Sequence, residues 1–187
     1  VKPVLEAARQ KGAAGAVVIT SGFRELGTPE GIAREEEVRR IAGTGIRVIG
    51  PNCFGIYCPQ SGLTFFPNPD LSRESGPVAF LSQSGGMASD FAMTGMWMGL
   101  RFSKVVSHGN ACDINECDLL EYFTDDPETK VIAAYIEGIK DGPRFRRVLA
   151  RAAATKPVVI YKGGFSEAGG RAAATHTGSL AGSYAAF

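Results

Sequence analysis

A histidine followed at once by small polar residues, Thr175-His176-Thr177-Gly178-Ser179, is the segment with the clearest capacity for chemistry. A neutral imidazole is a good phosphoryl acceptor, and its free pKa of about 6.5 keeps most of it neutral at pH 7. Thr177, Gly178 and Ser179 have the composition of a helix start, whose exposed N–H groups stabilise an anion. A surface-loop histidine beside a helix cap has the same sequence, so the segment alone leaves both readings open. Glu137 directly follows the apolar run Val131–Ile136 and precedes Gly138. A carboxylate at such a strand end faces the ligand side of a sheet. There it would accept a hydrogen bond from one ring nitrogen of His176 and leave the other free to attack phosphorus. The plainer alternative is a solvent-exposed strand-end glutamate. Ser84, Gly85 and Gly86 follow a second apolar run. Small residues there let backbone N–H groups approach an anion at a helix start. A tight turn capped by serine is the other reading.

Other polar and sulfur-bearing residues point to structural roles. His108, in Ser107-His108-Gly109-Asn110, has no evident partner and is expected to be structural or on a rim. Asn115 and Asp118 have the spacing of a helix N-cap and its first-turn partner. Glu35-Glu36-Glu37 with Arg39-Arg40 reads as a solvated, charge-paired helix face. Met87, Met93, Met96, Trp97 and Met98 read as helix packing. The four cysteines, Cys53, Cys58, Cys112 and Cys117, are too few for a disulfide scaffold. Their wide spacing does not suit zinc, so no metal site is expected, and a reducing, cytoplasmic compartment is.

The elements that must position these residues alternate. Residues 2–10 form a helix with Val4, Leu5 and Ala8 on one face. Residues 16–20 form a buried strand, 29–42 a polar helix, and 47–49 a strand cut by Gly50-Pro51-Asn52. Residues 56–75 are broken by Pro59, Gly62, Pro67 and Pro69, which predicts a linker or ordered loop. The alternation then restarts with strands at 77–81, 102–107, 131–136 and 156–161. Helices follow from Gly86 to about 98, over 115–124 and over 143–154. Phe145, Val148, Leu149 and Ala152 share one face of the last of these. Four successive βα units predict an α/β, doubly wound parallel sheet. The expected division is 1–60, a linker at 61–75, and 76–187, with both ends incomplete.

Composition sets the class. The chain has 187 residues, 44% apolar and 21% charged, with 20 Lys+Arg against 19 Asp+Glu. That is ordinary globular composition. A net charge of +1 argues against a general nucleic-acid binder. No stretch approaches the ~18 apolar residues that span a bilayer. The first residues also lack the apolar core of a signal peptide.

Six segments occur in order: Gly50-Pro51-Asn52-Cys53-Phe54-Gly55, Leu81-Ser82-Gln83-Ser84-Gly85-Gly86, Ser107-His108-Gly109-Asn110, Asp118-Leu119-Leu120-Glu121-Tyr122, Tyr135-Ile136-Glu137-Gly138, and Thr175-His176-Thr177-Gly178-Ser179-Leu180-Ala181-Gly182. Together they resemble the NDP-forming acyl-CoA synthetases, chiefly the ADP-forming acetyl-CoA synthetase group, relatives of the succinyl-CoA synthetase α subunit. The resemblance implies the C-terminal part of a Rossmann-like CoA-binding domain, followed by a truncated flavodoxin-like domain with a phosphohistidine loop. It implies acyl-CoA, phosphate and ADP in reversible exchange with a small carboxylic acid, CoA and ATP. His176 would carry the phosphoryl group and Glu137 would orient it. Ser84, Gly85 and Gly86, with Thr177, Gly178 and Ser179, would flank the phosphate, and Thr20, Ser21, Gly22 and Asn52 would lie along CoA. Mg-ADP or Mg-ATP would sit in an ATP-grasp domain or subunit elsewhere, in an oligomer. Relatives that only sense CoA or acyl-CoA, fused to acetyltransferases, are the alternative. The presence of both His176 and Glu137 favours the enzyme.

Overall fold

The computed structural model describes residues 1–67 and 70–164. The first unit contains α1 (Lys2–Gln10), β1 (Gly15–Val17), α2 (Pro29–Ala42) and β2 (Arg47–Ile49). Thr28 starts α2, its hydroxyl accepting the Gly31 N–H at 3.1 Å, and Pro29 occupies the first helical position, where no N–H is needed. β1 and β2 pair in parallel, with Gly15 opposite Arg47. Their core gathers Leu5, Val18, Phe23, Val38, Ile41, Ile46 and Val48. The first strand is shorter than expected. Val18 N–H still reaches the Ile49 carbonyl at 2.9 Å, and the chain then turns toward Asn52. Val4 is 71% exposed rather than sharing the buried face with Leu5. Adjacent helical positions lie about 100° apart, and the narrow contact of α1 buries Leu5 and partly buries Ala8, leaving Val4 outside.

The second unit is a six-stranded sheet. Its strands are β3 (Gly55–Cys58), β4 (Leu63–Thr64), β5 (Val78–Ser82), β6 (Phe102–Ser107), β7 (Val131–Ile136) and β8 (Val158–Lys162), in the order β4-β3-β6-β5-β7-β8. β6, β5, β7 and β8 run parallel. β3 runs antiparallel to both β6 and β4, so the sheet is mixed where a parallel one was expected. The stretch read as linker therefore holds part of the sheet. Pro59 to Ser61 make a 3-10 turn that ends on Gly62 at φ +69°, joining β3 to β4. Tyr57 and Phe66 are buried against Phe102.

Helices cover both faces. α3 (Gly85–Trp97) packs Ala88 and Ala92 against Phe80, Phe102 and Val105. On the other face, α4 (Glu116–Asp125) and α5 (Gly142–Thr155) bring Leu120, Phe123, Phe145 and Val148 onto Leu81, Ile132 and Ile136. Asn115 and Asp118 form the expected reciprocal cap of α4. Trp97 and Met98 do not pack as expected. They project into solvent where α3 ends. Among the described residues no helix is long and apolar enough to cross a membrane.

Candidate functional site

Parallel strands leave their carboxyl ends open to ligands, and Ser82, Ser107, Ile136 and Lys162 bring four such ends side by side. Beyond β5, the Ser84 N–H donates to Ser82 Oγ at 3.1 Å, and Ser84 Oγ accepts the Met87 N–H at 3.3 Å. The Ser84 hydroxyl is thus spent on capping α3. Gly85 lies under the Phe54 ring, where an added Cβ would come within 3.0 Å of it. Gly86 is open. The two glycines line a cleft of about 140 Å³ with Ile19, Asn52, Cys53 and Phe54.

The turn at the end of β2 supplies the opposite wall. Asn52 adopts a left-handed φ of +58° and donates its N–H to the Thr20 carbonyl at 3.0 Å. Thr20 and Ser21 are exposed beside it. Gly22 N–H donates to Glu25 Oε1 at 2.5 Å. The fold therefore brings Thr20, Ser21, Gly22 and Asn52 together and sets Asn52 against Gly85 and Gly86.

Glu137 is buried at the end of β7, not exposed. Gln83 holds its backbone. Gln83 Oε1 accepts the N–H groups of Glu137 and of Gly138, the latter at 2.9 Å, and its amide donates to the Gly138 carbonyl at 2.7 Å. Lys162 Nζ donates to the Glu137 carbonyl at 2.8 Å and to the Gly163 carbonyl. Burial pushes this lysine's pKa down, against the opposing pull of Glu137. The Tyr135 hydroxyl bonds the Glu137 carboxylate. Burial first, and the carboxylate second, push its pKa up to about 12. An added Cβ at Gly163 would lie 2.6 Å from that hydroxyl oxygen and 3.1 Å from Glu137 Cγ, so glycine leaves the carboxylate its room. Tyr135, on β7, and Glu137, one residue past its end, are two apart and lie on the same side. That spacing was the available signal for Tyr135. Nothing local marked Lys162 or Gln83. His176, Thr177, Gly178 and Ser179 lie outside the described residues.

His108 is not on a rim. It is fully buried, and neither ring nitrogen has a hydrogen-bond partner among the described residues. Burial, with Lys140 a lesser cause, holds its pKa down to about 3. The unfolded chain therefore takes up a proton below pH ~6.5 that the folded chain refuses, so stability is full above that pH and falls below it. Between pH 6 and pH 4, wild type is expected to lose up to ~1.4 kcal/mol per pH unit more than His108→Leu in urea unfolding. Parallel slopes would contradict this.

Cysteine chemistry is quiet. Burial pushes the thiols of Cys53 up to about 11, and of Cys112 and Cys117 up to about 12. Among the described residues no three His, Cys, Asp or Glu side chains gather to hold a metal.

Residues 75–187 match the family described as the succinyl-CoA ligase-like flavodoxin domain. The chain belongs to that family. The relatives agree with the resemblance read from the sequence. The α subunit of ADP-forming acetate–CoA ligase II from Pyrococcus furiosus is 46% identical over 98% of this chain and 40% of its own length. The ADP-forming acetate–CoA ligase of Methanocaldococcus jannaschii is 45% identical over 97% of this chain and 25% of its own. The solved structure of dinucleotide-forming acetyl-coenzyme A synthetase 1 from Ca. Korarchaeum cryptofilum, in complex with phosphate and ADP, is 41% identical. It superposes with a TM-score of 0.87 over 98% of this chain and 39% of that one. The chain thus spans two fifths or less of the length of these relatives.

Proposed function

We propose that this chain is the part of an ADP-forming acyl-CoA synthetase that binds the CoA thioester and carries the phosphoryl group toward the nucleotide. One observation carries the reading: Asn52, beside Thr20, shares a cleft with Gly85 and Gly86 at the start of α3. A CoA wall and a phosphate wall then face each other. On this reading the end of the CoA-binding part lies before Gly55, because β3 and β4 pair into the larger sheet.

Phosphate attacks the thioester carbonyl and CoA leaves as the thiol, giving an acyl phosphate. Neutral His176 attacks phosphorus, the bond to the acyl oxygen breaks, and the carboxylate departs. ADP, a magnesium-bound substrate held by an ATP-grasp domain or subunit, then takes the phosphoryl group and becomes ATP. The start of α3 contributes about half a positive charge toward the phosphate. Glu137 accepts the second ring N–H of His176 and balances the charge that develops there. Four cysteines, all free of disulfides, suit a reducing, cytoplasmic setting.

The test is a pulse of γ-labelled Mg-ATP on the complete protein. Acid-labile, base-stable label on the peptide containing His176, absent in His176→Asn and discharged by acid plus CoA, is the expected result. A folded protein that binds CoA and takes up no label would instead make this a CoA-sensing module.

A further inference from the structure

Asn110 lies in the turn after β6, far in sequence from the CoA wall, yet it bonds Asn52 of that wall and Glu25, which closes the turn at Gly22. Its amide nitrogen donates to Glu25 Oε2 at 2.6 Å and to Glu35 Oε2 at 2.8 Å. Its side-chain oxygen accepts the Asn52 amide at 3.3 Å, and its N–H donates to the Pro51 carbonyl at 3.0 Å. Lys140, from the loop after Glu137, donates to the Asn110 carbonyl at 2.6 Å and to the Ala111 carbonyl at 3.0 Å. The side chain is 6% exposed, so it meets the CoA wall from behind.

Glu25 relays this grip. Its other oxygen, Oε1, accepts the N–H groups of Gly22 at 2.5 Å and Phe23 at 3.1 Å, which closes the turn that follows Ser21. Burial alone would raise the Glu25 pKa. The bonds from Asn110, Phe23 and Gly22 more than offset it and hold the carboxyl below its usual range. Glu35, expected on a solvated face, is instead buried on α2, with Arg24 Nε on its Oε1 at 2.9 Å. Two carboxylates so placed repel each other unless a donor stands between them. The Asn110 NH2 supplies one hydrogen to each.

We propose that Asn110 is a positioning residue for CoA: it bridges Glu25 and Glu35 and so fixes the 20–25 loop and Asn52 in the geometry that receives the coenzyme. The proposal rests on the reading of that wall as the CoA site. It needs an amide, since aspartate has the same size but would add a third carboxylate and remove both donors.

The test uses the complete protein, with CoA binding followed by calorimetry and His176 labelling from Mg-ATP as an independent half-reaction. Asn110→Asp is expected to weaken CoA binding at least about tenfold while labelling changes less than about twofold. Glu25→Gln alone also weakens CoA, because two amide donors then face each other. Combined with Asn110→Asp it restores several-fold of the loss, since the amide introduced by Glu25→Gln still accepts from Gly22 and Phe23 and now donates to the new carboxylate. Should Asn110→Asp fail to fold, Glu25→Gln with Asn110→Ser carries the same comparison. Unchanged CoA affinity in either single variant overturns the proposal. So does an equal loss in binding and labelling, or a double variant worse than both singles. Wild-type protein that binds no CoA removes the proposed function itself, a distinct result.

Discussion

Glu137→Gln is expected to slow phosphoryl transfer onto His176 by ~10²–10³-fold, the scale of a lost proton-handling partner, while the fold stays intact. The geometry separates the two effects. Gln83 and Lys162 hold Glu137 through its backbone, at Glu137 N, Glu137 O and Gly138, and none of those bonds involves the carboxylate. Glutamine keeps the side chain's volume under Gly163 and keeps an oxygen for the Tyr135 hydroxyl. The charge disappears and an NH2 group takes the place of the second oxygen. Those backbone bonds, including the two from Lys162 to the Glu137 and Gly163 carbonyls, persist in the variant, so unfolding is expected to change far less than the transfer rate. Rapid quench with labelled Mg-ATP measures the transfer rate, and urea unfolding measures the fold. A variant that transfers within threefold of wild type would remove Glu137 from the relay. An equal collapse of stability and rate would make it a structural residue. The Tyr135 phenol supplies a further signature: without the neighbouring charge its pKa drops from about 12 toward the ordinary 10.

The sequence signals that succeeded were local. α2 has its expected range, and Asn115 with Asp118 starts α4 as expected, because a cap acts within one turn. β6 and β7 have their expected bounds because each is a short apolar run between polar breaks. The position of Glu137 just past β7 was legible from that run, and its burial was not. The failures were non-local. β3 and β4 were hidden because Pro59 and Gly62 punctuate a hairpin as readily as a linker, and the partner that makes β3 a strand, Ser107 opposite Gly55, is far along the chain. The run Glu35-Glu36-Glu37 reads as solvated because charge runs usually are. Glu35 is buried instead, and its partners are Arg24 and Asn110, the latter 75 positions away. The role of Asn110 was equally invisible, since its partners come from the 20–25 loop, the turn after β2 and the loop after β7.

That joint between distant turns also sets the largest expected loss of stability. Gly109→Ala should destabilise the protein by roughly 3 kcal/mol or more, combining overpacking with a strained left-handed backbone. Gly109 sits at φ +53°, and an added Cβ would fall 2.2 Å from the Asn52 carbonyl oxygen and 2.3 Å from that of Pro51. Both atoms are backbone, so no side chain can swing aside. Relief requires the Gly50–Asn52 turn to move as a unit, and Gly50 is itself wedged, with a Cβ position 2.4 Å from the Val18 carbonyl oxygen. Any such movement pulls Asn110 from Pro51 and Asn52 and opens the cleft that Asn52 shares with Gly85 and Gly86. Gly43→Ala is the matched control. Its φ is −63°, its nearest neighbour would be 3.6 Å away, and it should be neutral or gain ~0.5 kcal/mol from the unfolded chain. Urea midpoints for the two variants, at equal slopes, decide the matter. If Gly109→Ala cost no more than Gly43→Ala, the two turns would not be a rigid joint, and the cleft would owe its shape to something other than their contact.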